Sequence, residues 1–179
     1  MGDNFVINIG RQLGSGGREI GEKLAASLEI SFYDKELINL ASEESGLCRD
    51  FFEKADEKPS QPLMNGLFGM RFPFPNDSIM ACNSCLSNDA LFKVQSDVIR
   101  KLAAEKSCLF VGRCADYILR DHPRHVNVFV SASLDDRIER LCQTMHVSKA
   151  EAEELIERTD KKRSEYYNYY SYKTWGAAA

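Results

Sequence analysis

Residues 7–21 read Ile7-Asn8-Ile9-Gly10-Arg11-Gln12-Leu13-Gly14-Ser15-Gly16-Gly17-Arg18-Glu19-Ile20-Gly21. An apolar run ends in a glycine-rich turn, and apolar residues then recur at helical spacing at Ile20, Leu24 and Leu28. This order predicts a strand, a turn and a helix. Successive glycines allow backbone N–H groups to converge on an anion, and the helix N-terminus adds partial positive charge. The stretch therefore predicts a phosphate-binding turn.

The turn is close to the phosphate-binding pattern G-x-x-x-x-G-K-[ST] but departs from it. Arg11 stands at the first glycine, Gly17 at the lysine and Arg18 at the Ser/Thr position. We expect Arg18 or Arg11 to supply the charge of the missing lysine. The absent lysine leaves open whether the turn transfers phosphate or only holds it, and a plain turn with glycines for tight packing is the alternative. The candidate phosphate-binding residues are Arg11, Gly14, Ser15, Gly16, Gly17 and Arg18.

Composition excludes several classes of protein. The chain has 179 residues, of which 44% are hydrophobic and 28% charged, with a net charge of −4. This balance disfavours wholesale nucleic-acid binding, and no apolar run is long enough for a membrane span. The first residues lack a signal-peptide pattern, so we expect a cytoplasmic protein. The six cysteines are then free thiols, and the C-x-x-C pair Cys82–Cys85 lacks the second pair of a zinc site. We assign no metal ligands.

Strand and helix patterns alternate along the chain, which predicts one domain with a parallel sheet between two layers of helices. Residues 57–87 interrupt this pattern and hold most of the prolines, which favours a long insertion. The predicted strands are residues 5–9, 30–33, 108–111 and 126–130, and the first, third and fourth of them are predicted to be buried. The predicted helices are residues 18–28, a helix from Asp34, one over 49–55, one from Asn88, and then 115–119, 133–146 and 148–170.

Three polar turns follow apolar strands, and the carboxyl ends of parallel strands meet at one edge of a sheet. The turns are Gly10–Arg18, Asp34-Lys35 and Gly112-Arg113. Asp34 caps a helix or contacts a metal or nucleoside. Arg113 and Asp116 either clamp a phosphate and a base or ribose, or form a surface salt bridge. The sequence therefore predicts a substrate site built from Asp34, Lys35, Arg113 and Asp116.

A basic segment lies on the last predicted helix. Arg158 and Lys162 share one face of that helix, and Thr159 and Arg163 share another. Either pair closes over phosphates and stabilises charge during phosphoryl transfer, or the segment is a solvated face. The tyrosines that follow are expected to pack the helix onto the domain. We name Arg158, Lys162 and Arg163, together with Arg18, as candidate catalytic residues.

The chain resembles the cytidylate kinase-like family of P-loop nucleoside monophosphate kinases. The resemblance rests on residues 10–20, on Phe32-Tyr33-Asp34-Lys35-Glu36-Leu37, on residues 111–117, and on residues 159–163 with the Tyr-Tyr pairs and Trp175-Gly176. It implies a three-layer α/β P-loop kinase fold over residues 1–179, with a helical lid at about residues 144–165. It also implies transfer of the γ-phosphate of Mg-ATP to CMP or dCMP.

The resemblance further implies roles for single segments. Gly14 to Arg18 would hold the phosphates of ATP, Arg113 would hold the acceptor phosphate, and residues 158–163 would belong to the lid. Two alternatives stay open: a nucleotide-binding regulator without transfer activity, and a kinase for another small acceptor.

Overall fold

The computed structural model describes residues 4–35 and 88–177. The predicted helix over residues 49–55, the insertion over 57–87, most of the helix from Asp34, and Cys48, Cys82 and Cys85 lie outside the described residues. The strands are β1 (Val6–Arg11), β2 (Ser31–Tyr33), β3 (Cys108–Val111) and β4 (His125–Val130). The helices are α1 (Gly17–Ser27), α2 (Asn88–Glu105), α3 (Ala115–Ile118), α4 (Leu134–Met145) and α5 (Lys149–Ser171).

The strands form one parallel sheet in the order β2-β3-β1-β4. Side chains of β3 alternate between the two faces, as a strand requires. Leu109 faces α1 together with Ile9 and Ala25, whereas Phe110 packs on the opposite face with Ile99 of α2. Helices therefore cover both faces, and the predicted three-layer α/β architecture is confirmed.

Helix α1 packs on the sheet through small residues. A Cβ built on Gly21 would lie 3.1 Å from side-chain atoms of both Ile9 and Leu109, so the backbone approaches the sheet closely. Gly17 and Ala25 lie on the same buried face. The apolar stripe that defined the helix in the sequence faces away from the sheet: Ile20, Leu24 and Leu28 are 49%, 36% and 44% exposed.

The prediction that β4 is buried is wrong. Val126 and Val128 are 58% and 43% exposed. Within the described residues β4 pairs with β1 alone, so it forms an edge of the sheet. A run of apolar residues identifies a strand but does not distinguish an edge from the centre. Among these same residues, no helix is both long and apolar enough to cross a membrane.

Helices α4 and α5 form a hairpin whose ends follow the sequence signals. The Ser133 side chain caps α4 by accepting from the Asp136 N–H, and Ser148 and Glu151 form the predicted capping box of α5. The two helices pack through Leu141, Ala152 and Ile156, and Leu13 from the turn after β1 packs against this cluster. The hairpin therefore sits on the glycine-rich turn.

Candidate phosphate-binding site

The turn between β1 and α1 has the backbone that its glycines predict. Gly14 and Gly16 have φ angles of 78° and 81°, in the left-handed region that favours glycine. Ser15 stabilises the turn by donating from Oγ to the Gln12 carbonyl at 2.8 Å. Gly16 is the N-cap of α1 and provides no side-chain acceptor to the first amides of the helix. Those amides are the groups that bind anions at helix N-termini.

The hairpin holds the turn by both backbone polar groups of one residue, Leu13. The Leu13 N–H donates to Asp160 Oδ1 at 2.8 Å, and Arg137 Nε donates to the Leu13 carbonyl at 2.7 Å. Arg137 and Asp160 also form an ion pair, with side chains 7% and 14% exposed. We call these three residues the turn clamp. Neither Arg137 nor Asp160 has an individual role predicted from the sequence.

The structure decides which face of the basic segment meets the turn. Arg163 lies inward, with Nη1 3.6 Å from Asp160 Oδ1 and 3.4 Å from the Arg11 carbonyl, to which it donates. Burial lowers the pKa of the Arg163 guanidinium, and the charge of Asp160 opposes that shift. Arg158 and Lys162, the other predicted pair, are exposed. The Thr159–Arg163 face is therefore the one that points toward the turn.

The position of the missing lysine has no room for a side chain. A Cβ built on Gly17 would lie 2.6 Å from Arg11 Cβ and 3.2 Å from Val130 Cβ. The Arg11 side chain extends across the sheet edge, so that its guanidinium lies against Gly112. Its aliphatic part thus occupies the space beside Gly17, and its guanidinium joins the glycine-rich turn to the Gly112-Arg113 turn.

Arg18 joins the first turn to the second. Its Nε and Nη2 lie 2.9 and 2.8 Å from Asp34 Oδ2, and its guanidinium lies 5.9 Å from the centre of the Phe32 ring. Asp34 is 3% exposed, whereas Lys35 is exposed. Together with the Arg11–Gly112 contact, this ion pair shows that the three predicted turns meet at one edge of the sheet.

A third residue without a predicted role, Arg140 of α4, lies over the turn. Its Cζ and Nη1 are both 3.4 Å from the position of a Cβ built on Gly16. Arg140 also forms an ion pair with Glu19, in the first turn of α1. The sequence could not single it out, because an arginine on an amphipathic helix is usually a surface residue.

Arg113 has a strained backbone and an unsatisfied side-chain donor. Its φ is 57°, an uncommon angle for a residue with a side chain. Its Nε is buried and lacks a hydrogen-bond partner among the described residues, while the guanidinium lies 5.6 Å from the centre of the Tyr166 ring. A buried unpaired donor is costly and calls for a ligand or another explanation.

Asp116 points toward α5, where it accepts a hydrogen bond from Tyr167 Oη at 2.6 Å. Burial, followed by this carboxylate, raises the pKa of Tyr167. The neighbouring Cys114 is buried, and burial raises the pKa of its thiol to about 12. Asp116 therefore holds α5 beside Arg113 through Tyr167, in agreement with the prediction that tyrosines pack this helix onto the domain. This contact takes the place of the salt bridge between Asp116 and Arg113 that was the alternative prediction.

Three solved structures and one family model are similar to this chain. An uncharacterized protein from Eubacterium ventriosum is 26% identical, covers 97% of this chain and 82% of its own, and has a TM-score of 0.68. A gluconokinase from Sinorhizobium meliloti is 14% identical, with coverages of 87% and 74% and a TM-score of 0.45. A shikimate kinase from Bacteroides thetaiotaomicron is 14% identical, with coverages of 92% and 82% and a TM-score of 0.47. No curated protein matches the chain. The sequence model of the cytidylate kinase-like family matches residues 6–179, and the chain therefore belongs to that family.

Proposed function

We propose that this chain is an ATP-dependent phosphotransferase that passes the γ-phosphate of ATP to CMP or dCMP. The observation that carries the proposal is the meeting of three turns at one sheet edge. Arg140 lies against the left-handed glycine turn, Arg163 donates to the Arg11 carbonyl just before it, and Arg113 follows Gly112 at the same edge. Clustered cations and backbone amides are what phosphoryl transfer requires, because catalysis there is mostly positioning and charge stabilisation.

The donor nucleotide would bind at the first turn. The amides of Gly14 to Gly17 would receive the phosphates. Residues 144–165, which include the end of α4 and most of α5, would act as a lid. Arg163 is the predicted lid residue with the best placement, because its guanidinium already reaches the Arg11 carbonyl. Arg158 and Lys162 are exposed and would need a movement of the hairpin to touch ATP.

The residues around the turn do not form a magnesium site of their own. Within residues 4–35 and 88–177, no group of three His, Cys, Asp or Glu side chains could hold a metal ion. The hydroxyl that the P-loop pattern offers to magnesium is replaced by Arg18, and Arg18 pairs with the Asp34 carboxylate. Magnesium would arrive on the phosphates of ATP, and we assign no step to a protein-bound ion.

The acceptor phosphate would bind at Arg113. The buried, unpaired Nε gives this side chain a donor that a phosphate oxygen would satisfy. Asp34 and Lys35 follow β2 at the same edge and would contact the rest of the acceptor. A nucleoside monophosphate fits this division because it offers one phosphate and one polar base.

One observation favours a second candidate function. Gly17 occupies the lysine position, so a protein that binds a nucleotide without transferring phosphate would have the same turn. A phosphotransfer assay with ATP against a panel of nucleoside monophosphates and small hydroxylated acceptors separates the possibilities. Product from CMP or dCMP supports the proposal, product from another acceptor reassigns the substrate, and ATP binding without product favours the regulator.

We predict that Arg113→Ala weakens acceptor binding and leaves ATP binding nearly unchanged. Loss of a charge-assisted hydrogen bond costs roughly 1.5–3 kcal/mol, which corresponds to about a 10- to 150-fold higher KM for the acceptor. Steady-state kinetics with each substrate varied in turn measure both effects. Equal losses for ATP and acceptor would remove Arg113 from the acceptor site.

A further inference from the structure

The ion pair between Glu19 and Arg140 places a cation where the turn lacks one. In the P-loop pattern, a lysine supplies the cation that binds phosphate. Gly17 stands at that position and has no side chain to supply the charge. Arg18, the next residue, is engaged with Asp34 at the end of β2. Arg140 lies against Gly16, within the turn itself. Of these side chains, Arg140 has the best position to reach a phosphate on the glycine turn.

The turn clamp keeps Arg140 near the turn. Arg137 is one helical turn before Arg140 on α4, and it holds the Leu13 carbonyl at 2.7 Å. Residues three apart on a helix project from neighbouring positions of the same face. Arg140 is therefore anchored at its backbone, while its side chain remains 40% exposed and able to change partners.

Glu19 has a second partner, so the loss of Arg140 would cost little free energy. Lys23 Nζ lies 2.7 Å from Glu19 Oε1, whereas Arg140 pairs with the other oxygen, Oε2. Lys23 is the main cause, and Arg140 a further one, of the lowered pKa of the Glu19 carboxyl. If Arg140 leaves, Glu19 keeps a cation. The carboxylate also lies in the first turn of α1, where its negative charge would repel a phosphate bound to the helix N-terminus.

We propose that Arg140 takes the role of the missing lysine. In the free protein Glu19 holds Arg140 beside the turn by their ion pair, and the phosphates of a nucleotide replace Glu19 as its partner. Arg140 is then a phosphate-binding residue and Glu19 a positioning residue that competes with the ligand. This inference rests on the proposed function, since it requires a nucleoside triphosphate at the glycine turn. It names the residue that binds the triphosphate and the residue that opposes binding.

The test compares Arg140→Gln with Glu19→Gln in the full chain, using ATP and inorganic tripolyphosphate as probes in calorimetric titrations. Arg140→Gln should raise the Kd of both probes about 10- to 100-fold, the loss expected for a hydrogen bond to a charged group. Glu19→Gln should lower both Kd values by about two- to fivefold, because the competing ion pair is exposed and weak. Arg140→Lys should stay within about threefold of the wild type, since lysine retains the charge and binds phosphate as a point charge.

Opposite signs for the two glutamine variants would distinguish this exchange from a merely structural ion pair. A structural pair predicts that both variants weaken binding or that neither changes it, and either result overturns the inference. Asp97→Asn is the matched control, because Asp97 forms a comparable exposed ion pair with Arg100 on α2. If Arg140→Gln does not fold, the Kd values of Glu19→Gln and Arg140→Lys still distinguish the exchange from a structural ion pair. If the wild type binds neither probe, the proposed function fails rather than the assignment of Arg140.

Discussion

Replacing Asp160 with alanine is expected to lower the free energy of unfolding by about 3–5 kcal/mol, the usual cost of leaving one member of a buried ion pair alone. The variant would strand the Arg137 guanidinium, which is 7% exposed, and would also remove the acceptor of the Leu13 N–H. Urea unfolding measures this loss. Among the described contacts, the clamp is the most buried charged contact between the hairpin and the turn.

The same variant should impair nucleotide binding beyond its loss of stability. Asp160 holds the N–H of Leu13, the residue just before Gly14, so its removal would loosen the turn whose amides would receive phosphate. Misplaced binding groups cost on the order of tenfold or more in affinity. Asp160→Asn retains an oxygen for the Leu13 N–H and should have a smaller effect on ATP Kd, measured by calorimetry on folded protein.

The control for this prediction is again Asp97→Asn, whose ion-pair partners are 46% and 54% exposed. Surface changes of this kind alter stability by no more than about 0.5 kcal/mol. An Asp160→Ala variant that unfolds at the same urea concentration as Asp97→Asn, with wild-type ATP affinity, would show that the clamp neither stabilises the fold nor shapes the turn.

Gly17→Lys, which restores the lysine of the P-loop pattern, is expected to damage the protein and not to improve it. The new Cβ would meet Arg11 Cβ at 2.6 Å and Val130 Cβ at 3.2 Å, and neither atom moves without its backbone. Overpacking of this kind costs about 1–3 kcal/mol. Urea unfolding and ATP titration should show lower stability together with weaker binding.

Two further variants separate the clash from the charge. Gly17→Ala introduces the same Cβ without a cation and should lose a similar amount of stability. Ala104→Lys places a lysine at an exposed position of α2 and should change stability by about 0.5 kcal/mol or less. A Gly17→Lys protein with wild-type stability and tighter ATP binding would mean that the turn accepts a conventional lysine.

Local signals in the sequence were sufficient to predict much of the fold. The continuous apolar run Cys108–Val111 is a fully buried strand, and Ser148 with Glu151 forms a capping box at the start of α5. These signals work because the responsible residues are neighbours in the chain. The glycines at 14 and 16 likewise predicted the left-handed turn, since few other residues adopt it without strain.

The contacts that complete the site could not be predicted from the sequence, because they join residues that are far apart in the chain. Leu13 is 147 residues from Asp160 and 124 from Arg137, and no spacing rule links them. Both side chains looked like ordinary charges on amphipathic helices. Helical spacing also does not say which face of α1 meets the sheet. The helix presents Gly21 to the sheet and exposes Ile20, because only a residue without a side chain permits so close an approach.

We propose that the glycine turn binds the phosphates of ATP beside the arginines of the hairpin. A crystal structure with a non-hydrolysable ATP analogue and CMP would locate both ligands. We expect the triphosphate within hydrogen-bond distance of the amides of Gly14 to Gly17, with the CMP phosphate on Arg113. A structure in which the turn's carbonyls point into that space, or the analogue binds elsewhere, would contradict it.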